Sequence, residues 1–283
     1  MKLLVEPKNK ENLKFNCDGL ILAIKDYAVE SNIYFTLDEI KNISDSFSGE
    51  IFVKLNKNLM NDDIPFVKDI LVQLDKMNIT GVFFYDLAVL ELKRELNLNI
   101  DLVWNQTHMV NNYKTCNYYY SKGVKYALLG KEITLDEILE IIDLSDITSM
   151  VEVVSKPSVA FSKRKLVSNY YKDMGIDGSK EIIVNEKVSN LNFDIKEDSN
   201  GTVFFLDLIT NGTSIIRDLY DNGCSYIIMR EYGIDNFREL VNDTMEYIKD
   251  SCSDLSYVLK YKKLGDSTNF FFKKTIYKVK KNG

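Results

Sequence analysis

Three glutamates stand where short apolar runs of the chain end, and carboxylates in such places can act as acid and base or bind a metal ion. They are Glu132, Glu152 and Glu231, which we take as the candidate catalytic residues. The same carboxylates could instead pair with cations in a charge network that only stabilises the fold. The cations available for such pairs are Lys131, Arg164 and Arg230. The residue types leave both interpretations open.

The segment 104–112 carries polar side chains suited to holding a ligand. It contains Asn105, and an amide supplies both hydrogen-bond donors and acceptors. It also contains His108, the single histidine of the chain, and a lone histidine more often has a structural role than a catalytic one. The predicted substrate-binding residues are Asn105, His108, Lys131, Arg164, Tyr170 and Arg230.

Two segments combine cations with aromatic rings, a composition typical of nucleic-acid surfaces. One is Lys163-Arg164-Lys165 followed by Tyr170, and the other is the basic stretch 270–281. A solvated charged face or a protein interface would have the same composition. The formal net charge of −6 argues against electrostatic binding of RNA over the whole surface, so any RNA contact must be local.

Several enzyme classes are excluded by what the sequence lacks. One histidine cannot build the H-E-x-x-H zinc site, and no G-x-S-x-G elbow or phosphate-binding glycine loop occurs. The four cysteines are scattered without a C-x2-C pair, so buried free thiols are the favoured interpretation over a metal site. No recognisable motif holds a cofactor, although the three glutamates could bind a divalent metal.

Eight apolar runs alternate with helical patterns and predict parallel strands. Capping boxes begin helices at Thr36 and Thr134, and Asn61 precedes a third; Gly81, Gly123 and Gly223 stand where glycines end helices. Eight strand–helix units suggest a (β/α)8 TIM-type barrel over residues 1–250, with a doubly wound open sheet as the competing topology. The predicted strands are residues 2–6, 19–24, 50–56, 81–86, 101–106, 126–132, 150–155 and 224–231.

Two segments depart from the alternation. Residues 156–200 form an insertion after the seventh strand, at the end of a barrel where active sites lie. Residues 251–283 alternate apolar and basic side chains and predict a β-type extension packed on the barrel. The sequence opens without a signal peptide and has no apolar run of about 18 residues, so we expect a cytoplasmic protein with no membrane contact.

Three successive segments resemble the peptidase U32 family, the collagenase-like proteases. They are WNQTHMVNN at 104–112, LLGKEITLDEI at 128–138 and MVEVVSKPSVAFSKRKLVSNYY at 150–171, and the tail KKTIYKVKK is also similar to the family's shorter members. The resemblance implies a barrel fold and one of two activities: proteolysis, or oxygen-independent hydroxylation of tRNA, rRNA or a quinone precursor with an iron–sulfur cluster.

The sequence differs from the cysteine-bearing branch of that family at two places. Residues 152–162 hold no cysteine, so a 4Fe–4S cluster at the family's usual site is not expected. Lys131 stands where many relatives have arginine, and lysine lacks the planar fork that binds carboxylate or phosphate.

Our hypothesis is therefore a cluster-less subunit that acts with a larger, cysteine-bearing U32 protein in hydroxylating a tRNA base. A stand-alone, metal-assisted peptidase using Glu132, Glu152 and Glu231 is the alternative, and a noncatalytic binding barrel is a third.

Overall fold

A closed barrel of eight parallel strands forms the centre of the molecule. The computed structural model describes residues 1–11, 13–106, 109–188 and 190–265. The barrel strands are β1 (Lys2–Glu6), β2 (Gly19–Ala23), β3 (Glu50–Leu55), β4 (Gly81–Phe84), β5 (Leu102–Trp104), β6 (Tyr126–Leu128), β7 (Thr148–Ser155) and, after the insertion, β13 (Tyr226–Arg230). All eight predicted strands are confirmed.

Closure of the sheet decides between the two predicted topologies. The strands pair in the order β7-β13-β1-β2-β3-β4-β5-β6, and β6 then pairs back to β7 through Leu128 and Met150. An open doubly wound sheet would leave two edge strands at this point. The barrel prediction is therefore confirmed, and the open sheet is wrong.

Side chains alternate between two apolar layers, as a strand's twofold repeat requires. The inner cluster fills the barrel and contains aromatic rings in edge-to-face contact: Phe52 packs against Phe83, Tyr126 and Tyr226 at centroid distances of 5.9, 5.7 and 5.9 Å. The outer faces of the strands pack against the surrounding helices. The inner cluster comprises Leu4, Ile21, Phe52, Phe83, Val103, Tyr126, Leu128, Met150, Tyr226 and Ile228.

In the described ranges, seven helices follow the barrel strands. They are α1 (Leu37–Ser46), α2 (Ile64–Leu74), α3 (Ala88–Glu95), α4 (Tyr113–Ser121), α5 (Leu135–Leu144), α7 (Ile216–Asp221) and α8 (Phe237–Lys249). The capping boxes at Thr36 and Thr134 are confirmed, since each hydroxyl accepts from the backbone N–H three residues on.

Two expectations about these units need correction. The described residues between β1 and β2 form no helix, because their apolar side chains, Leu13, Phe15 and Cys17, alternate in a strand-like period. Gly123 and Gly223 do adopt the left-handed φ that ends helices, at 86° and 80°. Gly81 instead begins β4, where a Cβ would press on the Phe52 ring at 3.1 Å, so the glycine gives room for the inner core.

The insertion after β7 is a small antiparallel sheet with one helix. Its elements are β8 (Ser158–Ser162), α6 (Leu166–Met174), β9 (Glu181–Glu186), β10 (Leu191–Asp198) and β11 (Gly201–Leu206), and the strands pair in the order β8-β11-β10-β9. The short β12 (Thr210–Asn211) then pairs with the end of β7. The insertion is thus longer than the predicted 156–200, because β11 is needed to join β8 to β10.

Two polar contacts hold the insertion against the loop after β2. The Tyr34 hydroxyl donates to Asp198 Oδ2 at 2.8 Å, and Asn200 Nδ2 donates to the Ala28 carbonyl at 3.0 Å. Both lie at the turn between β10 and β11, so they fix the position of that end of the insertion sheet. At its base, Lys156 Nζ lies 2.8 Å from Asp207 Oδ1 and joins the beginning of the insertion to its end.

The described part of the C-terminal extension is helical rather than extended. Helix α9 (Leu255–Tyr261) packs on α8, where the Tyr257 and Tyr247 rings stack at 4.3 Å and the Tyr257 hydroxyl lies 2.7 Å from Thr244 Oγ1. The predicted strands of the basic tail fall on residues 266–283, which lie outside the described residues. None of the helices in the described ranges has both the length and the apolar character that a membrane crossing requires.

We expect Phe52→Ala to lower the free energy of unfolding by about 3–5 kcal/mol, because it opens a cavity among three aromatic rings inside the barrel. Phe66→Ala on α2 is the matched control, since that ring is 61% exposed and its loss should cost no more than about 0.5 kcal/mol. Urea unfolding of both variants measures the difference. Equal losses would show that the inner cluster does not stabilise the barrel as described.

Candidate functional site

Five charged side chains meet at the mouth of the barrel, above the inner apolar cluster. Glu6 ends β1, Lys54 lies in β3, Glu152 in β7 and Arg230 ends β13, while Lys131 follows β6 in the adjoining turn. We call these five residues the mouth ion cluster. The carboxyl ends of barrel strands are where active sites of this fold lie, so the cluster marks the candidate site.

Glu6 is held between two cations. Lys54 Nζ lies 3.1 Å from its Oε1, and Arg230 Nε lies 2.9 Å from its Oε2. The Ser31 hydroxyl donates a further hydrogen bond to Oε1 at 2.7 Å. All three charged side chains are at least nine-tenths buried, so each charge depends on its partners for the solvation that water would otherwise give.

Glu152 forms the other half of the cluster. Lys131 Nζ lies 2.7 Å from its Oε1, and Arg230 Nη1 lies 3.7 Å from its Oε2. The two cations therefore pair with opposite oxygens of the same carboxylate. Arg230 thereby bridges the two carboxylates.

The loop after β2 adds a backbone carbonyl to the cluster. Glu30 has a φ of 59°, a left-handed conformation that is uncommon for a residue with a side chain. In this conformation its carbonyl accepts hydrogen bonds from Arg230 Nη2 and, at 3.2 Å, from Lys54 Nζ. Strained backbone of this kind persists only where surrounding contacts hold it.

The electrostatics keep the two carboxylates of the cluster ionised at neutral pH. Burial raises the pKa of Glu152, but Lys131 and Arg230 outweigh burial and bring the pKa down to about 2. Burial likewise raises the pKa of Glu6, and Arg230 and Lys54 reverse this to a value below the usual range. Burial lowers the pKa of Lys54 to about 8, which Glu6 only partly opposes. The carboxylates therefore cannot donate protons at neutral pH.

Beside the cluster lies a cavity of about 300 Å³ between the barrel and the insertion, which we call the mouth cavity. One wall consists of the residues that directly follow three neighbouring strands, Asn56 after β3, Tyr85 after β4 and Asn105 after β5. The other wall is β8 with Lys163 just beyond it. Asn105 and Glu30 also line the narrow space above the cluster, so the two spaces adjoin.

The predicted catalytic glutamates do not converge. Glu152 belongs to the cluster, but Glu132 is exposed in the turn after β6 and makes no ion pair with any described residue. Glu231 is buried outside the cluster, where its Oε2 accepts from the Lys8 backbone N–H at 3.0 Å. A site built on all three carboxylates is therefore not present in the described structure.

The predicted substrate-binding residues separate into three groups. Lys131 and Arg230 lie in the cluster, and Asn105 lines the cavity. Arg164 and Tyr170 are exposed on the insertion, Arg164 in the turn after β8 and Tyr170 on α6. His108 lies outside the described residues.

Glu6 and Lys54 were not among the predicted site residues, although each carried a signal. Glu6 ends the first apolar strand, and Lys54 interrupts the apolar run of the third. A charge in a strand that is otherwise buried on both faces must point into a polar cavity or find a partner. The opposite signs of these two side chains would have indicated a pair.

The described side chains do not fit an iron–sulfur cluster. No three His, Cys, Asp or Glu side chains in the described ranges come together as metal ligands. Three of the four cysteines are buried and Cys17 is half-buried, and burial raises the pKa of each thiol to about 11–12. Cluster irons need thiolates, and residues 152–162 supply none.

The fold and mouth define a β/α barrel with a buried ionic site and an inserted sheet beside it. The sequence model of peptidase family U32 matches residues 9–180, and the chain belongs to that family. The solved structure of the U32 peptidase Mk0906 has the same fold, with a TM-score of 0.51 and 12% identity over 82% of this chain and 94% of that one.

Two proteins of Bacillus subtilis (strain 168) are similar in sequence. "tRNA hydroxylation protein P2" is 29% identical over 161 residues, which cover 54% of this chain and 52% of that protein. "tRNA hydroxylation protein P1" is 24% identical over 177 residues, which cover 60% of this chain and 42% of that protein. The matched region thus spans about half or less of either relative.

We expect Arg230→Met to lower the free energy of unfolding by about 3–5 kcal/mol, because it leaves two buried carboxylates without their shared cation. Lys260→Met is the matched control: that lysine contacts Glu239 and Asp243 but is 48% exposed, so its loss should change the free energy of unfolding far less than the loss of Arg230. Urea unfolding at pH 7 measures both. Similar losses would mean that the cluster is solvated rather than buried.

Glu152 should also give the protein a specific acid sensitivity. Its folded pKa of about 2 lies below the ordinary value of 4.5, so its contribution to stability is complete above about pH 5 and is lost as pH falls towards 2. We expect the fall in unfolding free energy between pH 5 and 3 to be shallower in Glu152→Gln, by up to about 1.4 kcal/mol per pH unit. Glu91→Gln on α3, an exposed position, should retain the wild-type slope, and an unchanged slope in Glu152→Gln would contradict the assignment.

Proposed function

We propose that this chain is a subunit of a tRNA-hydroxylating assembly and works beside a cysteine-bearing member of the U32 family. In this role it supplies a pocket for the substrate base and contacts to the RNA, while the partner supplies the redox centre. The observation that carries the proposal is the position of the exposed basic turn 163–165 at the rim of the mouth cavity, in a chain similar to two tRNA hydroxylation proteins.

The basic turn has the character of an RNA contact. Lys163, Arg164 and Lys165 are exposed and make no ion pair with the described residues, and Lys163 lines the cavity itself. The exposed ring of Tyr170 lies on α6, the helix that begins directly after the turn. Cations that are not neutralised by the protein remain available to phosphates, and an exposed ring can stack on a base.

The mouth ion cluster favours a binding role over independent hydrolysis. Its carboxylates are ionised and paired, so neither serves as a proton donor, and the remaining glutamates, Glu132 and Glu231, lie elsewhere. Hydroxylation also needs a redox-active group, and the described residues do not fit the iron–sulfur cluster of the cysteine-bearing branch. A second family member is therefore the source of that chemistry in this proposal.

The first test is recovery of the tagged chain from its native cell, with iron analysis and an absorption spectrum of the complex. We expect a cysteine-bearing U32 protein to co-purify with an absorption band of an iron–sulfur cluster. Deletion of the chain should also remove a hydroxylated nucleoside from the cell's tRNA, as measured by mass spectrometry of digested tRNA. An unchanged nucleoside profile would overturn the proposal.

Removing the basic turn should weaken RNA binding without unfolding the protein. We expect the triple variant Lys163→Ala, Arg164→Ala, Lys165→Ala to bind tRNA more weakly and to lower the slope of log K against log salt by roughly two to three. The matched control removes Lys68, Lys93 and Arg94 from α2 and α3 on the outside of the barrel. Equal effects of the two triple variants would show that binding follows net charge and not this turn.

A further inference from the structure

One edge of the insertion sheet is apolar and exposed to solvent. Among the described strands, β9 pairs only with β10, and its Ile183 and Val184 side chains are 67% and 42% exposed. The pairing with β10 runs without a bulge, and β9 contains no lysine or proline, the features with which proteins protect an edge strand. The opposite edge strand, β8, lines the mouth cavity and has a register shift against β11. Strand β9 is therefore an edge at which a further strand can pair.

The register identifies which backbone groups of β9 point to this edge. The Glu197 N–H donates to the Lys180 carbonyl at 2.9 Å, and hydrogen-bonded pairs of an antiparallel ladder recur at every second residue. Every second residue from Ile182 therefore bonds to β10, whereas Ile183 and Asn185 direct their N–H and C=O groups outward. These outward groups make no hydrogen bond with any described residue.

We propose that residues 266–283, the basic tail, supply the missing strand: residues 270–277 pair antiparallel with β9 and extend the insertion sheet to five strands. This stretch, FFFKKTIY, is rich in aromatic and β-branched side chains, which favour strands. The pairing satisfies the outward backbone groups of Ile183 and Asn185. It holds whether or not the chain binds tRNA.

The described part of the chain ends close to β9, at the base of the insertion sheet, where β9 and β11 finish. Gly265 packs so closely on the Ile209 backbone that an added Cβ would lie 2.1 Å from the Ile209 carbonyl oxygen. Nearby, the Asp207 N–H donates to the carbonyl of Asn192 in β10 at 2.9 Å. Neighbouring strands lie about 4.8 Å apart, so β9 is about 10 Å from β11 across β10. Residues 265–270 span up to about 17 Å, which covers this distance.

The directions of the strands agree with this placement. Strands β9 and β11 each pair antiparallel with β10, so both run towards the base of the sheet. A tail that enters at the base runs the opposite way and is antiparallel to β9. Strand β8 also runs away from the base and ends just before the basic turn 163–165. The pairing therefore carries Lys278, Lys280 and Lys281 to the end of the sheet at which that turn lies.

An apolar groove beside β9 gives the tail side chains a place to pack. It has a volume of about 550 Å³ and is lined in part by Val184 of β9 and Phe193 of β10. Phe205 points to the other face of the sheet, where its ring lies 5.1 Å from the ring of Tyr232 on the barrel. Residues 270–272 are three successive phenylalanines, and side chains of a strand alternate between faces. In any register, at least one of these rings lies on the groove side.

Amide hydrogen exchange of the full chain, resolved to single residues, tests the pairing. We expect the outward amides of Ile183 and Asn185 to exchange at least about 10-fold more slowly than unprotected amides. One of two adjacent residues must bond to β9 in any register, so the double variant Thr275→Pro, Ile276→Pro should remove this protection and leave β10 protected. The matched control, Asn282→Pro with Gly283→Pro, lies beyond the paired stretch and should change neither. Unprotected outward amides in wild type would overturn the pairing.

A variant of the edge itself gives an independent readout. The Ile183 N–H does not bond to β10, so Ile183→Pro should leave the sheet paired while it releases the tail. We expect trypsin to cut the lysines of the tail faster in Ile183→Pro than in wild type, and Ile183→Val, which keeps the N–H, to match wild type. Equal cleavage rates in all three proteins would contradict the proposal.

Two further outcomes would assign the edge to another occupant. Protection of Ile183 and Asn185 that is lost on dilution would show that a second copy of the chain pairs with β9. Protection that develops only after tRNA is added would show that RNA binding orders this edge. Either result would overturn the pairing with the tail, whereas protection that is independent of concentration and of tRNA supports it.

Discussion

The bridge that Arg230 makes between Glu6 and Glu152 is the contact on which the mouth of the barrel depends. Glu6 and Arg230 are register partners in β1 and β13, and Glu152 reaches the same guanidinium from β7. Lys54 and Lys131 extend the contacts to β3 and to the turn after β6. The ion pairs thus join strands around the barrel at the level where the apolar filling stops, and removal of any partner leaves a buried charge without solvation.

The cluster also divides the mouth into two halves with different chemistry. On the side of β1, β13 and β7 the space is filled by charges that neutralise one another, and the Glu30 carbonyl accepts hydrogen bonds from two of the cations. On the side of β3, β4 and β5 the residues that follow the strands carry amides and a phenol ring, and space remains above them. The insertion covers this second half, where Lys156 anchors its beginning through Asp194 and Asp207 at 3.2 and 2.8 Å.

Much of the fold could be predicted because its signals are local. Apolar runs gave the eight barrel strands, and Thr36 and Thr134 marked two helix starts, since a capping box is complete within four residues. The insertion was harder to predict, because β8 pairs with β11 across some forty residues and no local pattern records such a pairing. The segment after β1 was misjudged because a helix was expected there from the repeating strand–helix order, whereas Leu13, Phe15 and Cys17 alternate in a strand-like period.

The site was predictable only in part, because the direction of a side chain depends on where a strand ends. Strand β6 ends at Leu128, and the turn that follows directs Lys131 into the cluster while its neighbour Glu132 remains in solvent. A shift of one position therefore separates a buried partner from an exposed charge. Asn105 was predicted because an amide offers both donors and acceptors, and it lines the cavity. Glu6 and Lys54 carried only the signal of a charge in an apolar strand, and their pairing depends on the order β1-β2-β3, which brings the two strands to either side of β2.

The two kinds of polar group at the mouth are suited to different tasks. Charges that are buried and paired are strongly held by one another, and a neutral ligand that replaced one partner would have to offset the loss of that pairing. The amides at the neighbouring strand ends carry no charge, so hydrogen bonds from them to a neutral ligand would break no ion pair. The ion cluster thus keeps the strand ends in place, while the uncharged side chains that those ends carry line the cavity beside it.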